Sequence, residues 1–183
     1  MVEGKGEIEA VPVLLRRLAD RHGLSIRVRP PIRLPRGKLV QQTELAKAVQ
    51  LAAKQGGTDG GILFLLDADD DCPADLGPRL LGWGRAARAD RLISVVIANR
   101  EFEAWFLAAA QSIAGRRGLA PDLSAPSEPE TVRDAKGWLG ERMGRRHSPT
   151  VDQAAFAAVF DLDLARTRSP SLDKVLREFE GWL

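Results

Sequence analysis

Two stretches of the chain are almost wholly apolar, "ILFLL" at 62–66 and "LISVVIA", with one serine, at 92–98. Short runs of this kind, ended by charged or turn residues, predict strands buried on both faces. "LSIRVR" at 24–29 alternates apolar and charged residues and predicts a strand with one wet face. The remaining pattern is helical. Ile8, Val11, Leu14, Leu15 and Leu18 fall on one face of a helix closed by Gly23, in which Pro12 must lie in the first turn or cause a kink. Leu45, Ala48, Val49 and Ala52 mark a helix over 41–55, and a further helix is expected from Pro73 to Arg88. "REFEAWFLAAAQSIAG" predicts a strong amphipathic helix through Phe102, Trp105, Phe106, Ala109 and Ile113. Helices are expected near 131–144, 151–158 and 171–182.

Strands alternating with helices predict an α/β fold with an open, mainly parallel sheet and flanking helices. In such sheets ligands bind outside the carboxyl ends of the strands. The expected organisation is an α/β core over 1–118, a proline-rich connector over 119–130 and a C-terminal helical region over 131–183 packed on the core.

Composition narrows the function classes. A chain of 183 residues, 44% hydrophobic and 28% charged, has the make-up of an ordinary globular protein. No apolar stretch approaches the ~20 residues needed to span a bilayer, and "MVEGKGEIEA" lacks the pattern of a signal peptide. The single cysteine, Cys72, excludes an internal disulfide framework and a multi-cysteine zinc module. A cytoplasmic location with no membrane partner is the expectation. Net charge is only +2, yet Arg16, Arg17, Arg21, Arg27, Arg29, Arg33, Arg36 and Lys38 face one acid, Asp20, within 23 residues. Arg142, Arg145, Arg146 and His147 form a second basic cluster. Basic stripes suit nucleic acid; a solvated arginine-rich surface is the alternative.

The acids are the sharper signal. The 62–66 run ends in "DADDD", which sets Asp67, Asp69, Asp70 and Asp71 beside one another. If the strand persists, its pleat turns Asp67 and Asp69 to one site, continues to Asp71 and sends Asp70 away. Neighbouring carboxylates raise each other's pKa, and a hard divalent cation relieves the repulsion. The alternative is a solvated turn capping the helix after Pro73. A D-x-D also suits nucleotide-sugar transferases and aspartate-based phosphotransferases. Two further groups carry acids: "VEGKGE" at 2–7, with Glu3 and Glu7 around two glycines, and Glu101 with Glu103 after the second apolar run. Periodicity does not choose between Glu101 and Glu103. Three acidic groups at strand–helix boundaries can converge on one rim of the sheet.

"VEGKGE" followed by a hydrophobic strand ending in "LDADDD" resembles the Toprim fold, the catalytic domain of topoisomerases, bacterial primases and OLD-type nucleases. With "NREFEAWFLA" the chain is similar to the Toprim-like bacterial group catalogued as domain of unknown function 4276. The resemblance covers roughly residues 1–115. It implies Glu3 as general acid/base or metal ligand, with Glu7 as a second acid in both roles. It implies Asp67 and Asp69 as ligands of Mg²⁺ or Mn²⁺, Asp71 as an outer ligand, and Glu103, with Glu101 as alternative, completing the site. Only Met1 and Val2 precede Glu3, where Toprim domains place a full strand.

The implied activity is metal-dependent phosphodiester chemistry on DNA or RNA. Arg16, Arg17, Arg27, Arg29, Arg33, Arg36, Lys38 and Arg100 would hold phosphates. The absence of tyrosine excludes a tyrosine-dependent topoisomerase, and no Walker motif is present. By family analogy a separately encoded ATPase is an expected partner, in defence or repair. A non-catalytic subunit that binds a partner protein or nucleic acid, and a metal-dependent nucleotidyl transferase, are the competing classes. His22 and His147 are read as surface residues, and Trp83, Trp138 and Trp182 as packing residues.

Overall fold

Only two of the three expected strands form. The computed structural model describes residues 1–183 and is mixed α/β, mostly helical, around a two-stranded parallel sheet. Strand β1 spans Ile62–Asp67 and β2 spans Ile93–Ala98, paired in parallel from Ile62↔Ile93 to Asp67↔Ala98. Two further extended rows join it through single residues, for Val2 bridges Leu65 on one side and Arg33 on the other, both in the parallel sense. Val2 is wholly buried, and its neighbours close the ladder: Leu65 N–H donates to Met1 O at 2.9 Å and Leu34 N–H to Val2 O at 2.9 Å. The alternating segment 24–29 is not a strand. Its Ile26 leans on the core while Arg27 and Arg29 stay exposed, so the alternation reports a wet and a dry side without a ladder partner.

Helices cover both faces of the sheet. α1 (Glu7–Arg21), α2 (Arg36–Leu39) and α3 (Gln42–Gly56) precede β1, and α4 (Pro73–Ala87) crosses to β2. Then follow α5 (Ala104–Ala108), α6 (Ala135–Arg142), α7 (Ala154–Ala157), α8 (Leu162–Arg168) and α9 (Pro170–Glu180). The strand pleat divides the core. Phe64, Leu66, Val95 and Ile97 pack with α3 and α4, while Leu65, Val96 and Ala98 pack with α1, α5 and the C-terminal helices. Each such side chain contributes about 1.5–3 kcal/mol when fully buried. The second core is the larger, 31 buried residues against 15, and it draws on residues from Val2 to Phe179. Ser94 is the one polar residue inside β2; its hydroxyl donates to Glu178 Oε2 of α9 at 2.5 Å.

Other expectations also change. Pro12 lies in the second turn of α1, where it cannot donate to Ile8 O. The expected amphipathic helix over 101–114 is instead the short α5 followed by a 3₁₀ turn at Ala110–Ile113. Phe102 to Ala110 are buried without exception, so no polar face exists for a long amphipathic helix to present. The expected helix at 131–144 shortens to α6 behind a 3₁₀ turn, that at 151–158 becomes a π turn and α7, and α8 was not foreseen. The 119–130 segment buries Leu119, Leu123 and Pro129 against the larger core and against α5. No helix is long and apolar enough to cross a membrane.

Candidate functional site

β1 delivers Asp67 to the carboxyl edge of the sheet, and Asp67 is only 9% exposed. Its Oδ1 accepts Phe102 N–H at 2.7 Å, and its Oδ2 lies 3.3 Å from Lys136 Nζ. Burial pushes this carboxyl above its usual range, against the pull of Lys136 and the Phe102 amide. The strand ends there. Ala68 and Asp69 both donate backbone N–H to Arg100 O, two residues past the end of β2, and Asp69 takes φ +50, a left-handed conformation that aspartate tolerates. The pleat therefore does not carry Asp69 and Asp71 into line with Asp67. Asp69 is exposed, though its charge reaches Glu3. Asp70 is exposed and pairs with Arg100 at 2.8 Å and Arg133 at 3.3 Å. Asp71 is tied to Arg36.

The "VEGKGE" turn brings in the next two acids. Glu7 opens α1, is 4% exposed, and accepts N–H groups from Gly4 at 2.8 Å and Glu3 at 3.1 Å through Oε2. Burial first, and the Asp67 charge second, push it up to about 7. Glu3 is likewise raised by burial, despite Arg36 at 3.5 Å. Both glycines are close approaches, and Gly6 is the rigid one, since a Cβ there would also stand 2.7 Å from Pro149 O. A Cβ on Gly4 would stand 2.5 Å from Glu7 Oε1, and one on Gly6 would stand 2.1 Å from Gln153 Oε1.

Glu101 and Glu103 both reach the site. Glu103, entirely buried, precedes α5, with Oε1 accepting Gln153 Nε2–H at 2.7 Å and Oε2 lying 3.4 Å from Lys136 Nζ without a hydrogen bond. Burial pushes Glu103 up to about 7, with Asp67 adding to it and Lys136 opposing. Glu101 Oε2 accepts the Lys136 backbone N–H at 3.1 Å, and Oε1 lies 3.6 Å from Lys136 Nζ. Burial pulls the Lys136 ammonium down, but Glu103, Asp67 and Glu101 outweigh it and hold the amine more basic than usual.

Glu3, Gly4, Lys5, Gly6, Glu7, Asp67, Lys136 and Gln153 line a cavity of about 310 Å³, with Pro149 and Thr150 closing one side. Lys136 also lines an adjoining cavity of about 690 Å³ with Arg145, Arg146, His147 and three glycines. His147 is buried rather than at the surface: it stacks on Phe156, stands 3.6 Å from Glu103 through Nδ1, and has no hydrogen-bond partner on either ring nitrogen. Burial pushes it down to about 4, so it is neutral at pH 7.

The donor set is hard oxygen throughout, which suits Mg²⁺ or Mn²⁺ in kind. In spacing, no three His, Cys, Asp or Glu side chains stand close enough together to hold an ion as arranged, because Lys136 takes the middle of the acid cluster. Five carboxylates (Glu3, Glu7, Asp67, Glu101, Glu103) meet two cations, Lys136 and Arg36. Fully ionised, the cluster would keep a formal charge of −3, from five acids less two bases.

A family model described as "Domain of unknown function (DUF4276)" matches residues 2–183. The chain belongs to the DUF4276 family. No curated protein and no solved structure gives a match. In this DUF4276 chain the family match runs through the C-terminal helices, and it is they that carry Lys136, His147 and Gln153 to the acids. Sequence reasoning missed these three because each lies far from the acidic motifs. One signal was available: Lys136 stands in the first turn of α6, directly after Ala135 and the N-cap Asp134, where the helix dipole disfavours a cation.

The basic residues divide. Arg16, Arg27, Arg29 and Lys38 are exposed and make no ion pair. Arg17 instead anchors α1, donating to Ala157 O at 2.7 Å and Phe160 O at 2.9 Å. Arg33 donates to Glu3 O at 3.1 Å. Arg36 holds the turn after β1 through Asp67 O at 2.7 Å and Ala68 O at 3.3 Å, and Arg100 holds it through Asp69 O and Asp70. In the second cluster, Arg142 lies over Trp138, and Arg145 is bound to Asp152.

Proposed function

We propose that this chain performs divalent-metal-dependent phosphodiester chemistry on nucleic acid, as a nuclease of Toprim-like architecture. One observation carries the reading: five carboxylates from three segments gather at the carboxyl edge of a parallel sheet, and only two cations, Lys136 and Arg36, form ion pairs with them. At about 4 Å, two like charges repel by about 4 kcal/mol in surroundings of effective dielectric 20, so such a cluster calls for a cation. The parallel succession of Arg33, Val2, β1 and β2 supports the Toprim-like reading, since it sets Glu3 directly beyond a row adjacent to the strand that ends in Asp67.

Asp67 and Glu103 would hold Mg²⁺ or Mn²⁺, with Glu3, Glu101 and Asp69 around them and Glu7 beside the ion as the base. Bound there, the ion would supply an acidified water and neutralise phosphoryl charge. Glu7, raised to about 7 by burial, is suited to accept a proton from the attacking water near neutral pH. The exposed Arg16, Arg27, Arg29 and Lys38 are free to meet phosphates. A non-catalytic, partner-binding subunit is the second reading. It is favoured by Lys136, which already sits among three of the acids.

The test is cleavage of DNA and RNA in Mg²⁺ or Mn²⁺ by the wild-type chain and by Asp67→Asn and Glu7→Gln. Metal-dependent cleavage that falls about 10²–10⁴-fold in Glu7→Gln is the expected outcome. No metal-dependent cleavage of either nucleic acid would remove the nuclease reading.

A further inference from the structure

The acid cluster is closed by a residue from outside its own motifs. Lys136 Nζ lies 3.3 Å from Asp67 Oδ2, 3.4 Å from Glu103 Oε2 and 3.6 Å from Glu101 Oε1. Near-equal distances describe one charge shared among three acids rather than one tight pair. The backbone of Lys136 is fixed, for its N–H donates to Glu101 Oε2 at the start of α6. Its four-carbon stem is of a flexible type and lines both cavities. Independently, one buried acceptor beside the ammonium goes unmet: Glu103 Oε2, on a wholly buried side chain, has no hydrogen-bond donor. The ammonium 3.4 Å away makes no hydrogen bond to it; a cation with ligand distances of about 2.0–2.1 Å would satisfy it.

We propose that Lys136 is a resident counter-cation that a divalent ion displaces, and that the displaced ammonium then turns into the larger cavity to contact a substrate phosphate. The inference rests on the metal-dependent reading above and names what controls access to that site. A divalent ion carries twice the charge of the ammonium it replaces. The larger cavity offers room, three glycines and the exposed Arg146. Metal and phosphate therefore bind with positive coupling, each relieving a cost imposed on the other.

The test is calorimetric titration of Mn²⁺ into wild type and Lys136→Met, with and without thymidine 3′,5′-bisphosphate as the phosphate probe. Lys136→Met is expected to bind Mn²⁺ about tenfold more tightly, because a competing charge is gone. In wild type the bisphosphate is expected to tighten Mn²⁺ binding about fivefold or more, and the variant to lose that coupling. A second readout needs no variant: Mn²⁺ should raise acetylation of Lys136 by acetic anhydride, followed by mass spectrometry of the wild-type chain. Mn²⁺ binding that is equal or weaker in Lys136→Met, with unchanged acetylation in wild type, overturns the displacement and leaves the metal site standing. Absence of Mn²⁺ binding in both proteins overturns the metal reading and this inference with it.

Discussion

Glu103 and Asp152 are both entirely buried carboxylates, and they are linked through neighbouring residues, since Gln153 follows Asp152 in sequence and donates to Glu103. Their surroundings differ in one respect, the supply of donors. Asp152 accepts two bonds from Arg145 at 2.8 and 2.9 Å, one from Arg117 at 2.5 Å and one from the Ser148 amide at 2.8 Å. Burial pushes Asp152 up, but these donors outweigh it and hold the carboxyl far below its usual range. Glu103 has one hydrogen bond and a shared ammonium, and burial wins. A buried acid with every lone pair met fastens the chain. A buried acid left short of donors costs stability, and such a group marks a functional-site candidate.

Removal of each acid should expose this difference most strongly. Asp152→Ala leaves two arginines without their partner and is expected to lower stability by about 3 kcal/mol, measured by urea unfolding. Glu103→Gln keeps the shape and deletes an under-satisfied charge, so a change below about 1 kcal/mol, towards greater stability, is expected. Equal losses for the two variants would erase the contrast. Acidity acts with opposite signs at the two sites. Glu103 and Glu7 rise from 4.5 to about 7 on folding, so the folded chain holds protons that the unfolded chain releases. Their contribution to stability is greatest below pH 4.5 and is lost as pH rises towards 7. Asp152 is depressed from 3.8, so its contribution is present above that pH and is lost as the pH falls below it. Between about pH 5 and 7 His147, held neutral down to about 4, pulls the other way, so unfolding followed from pH 3 to 8 should show a net decline set by the two acids against the one imidazole. The Glu103→Gln variant should flatten that decline, and Asp152→Ala should leave it in place.

The same contrast explains what the amino-acid order disclosed. β1, β2, α3 and α4 were legible because their apolar runs and periods follow directly from the layers that cover them. Glu3, Glu7, Asp67, Glu101 and Glu103 were legible because acids at strand ends and beside glycines are locally costly. The pleat argument for Asp69 and Asp71 failed because Arg100 O captures the Ala68 and Asp69 amides and turns the chain out. Lys136, Gln153 and His147 were not legible, for no local pattern sets them apart and only the packing of α6 and α7 on α1 and α5 brings them to the acids. Asp152 was hidden too, since nothing local distinguishes an acid about to meet Arg117 and Arg145 from a solvated one.

Gln153 offers the finest test because it stands between the two acids. Its Nε2–H is the one hydrogen bond Glu103 receives, while its own Oε1 is buried without a partner. Gln153→Met keeps the length and removes both groups. Loss of the donor should cost about 1–2 kcal/mol for a charged acceptor, and loss of the unmet carbonyl should return part of it. The expected net loss is about 0.5–1 kcal/mol at pH 8, where Glu103 is largely ionised, and less at pH 5, where it is protonated. In a double-mutant cycle with Glu103→Gln the loss should vanish, since the acceptor charge that the donor serves is gone. The same cycle with Asp152→Ala should be additive, because the donors on Asp152 come from Arg117, Arg145 and Ser148 and not from Gln153. Coupling to Asp152 of the same size as coupling to Glu103 would mean that the two acids belong to one network, and that the contrast between fastener and site is false.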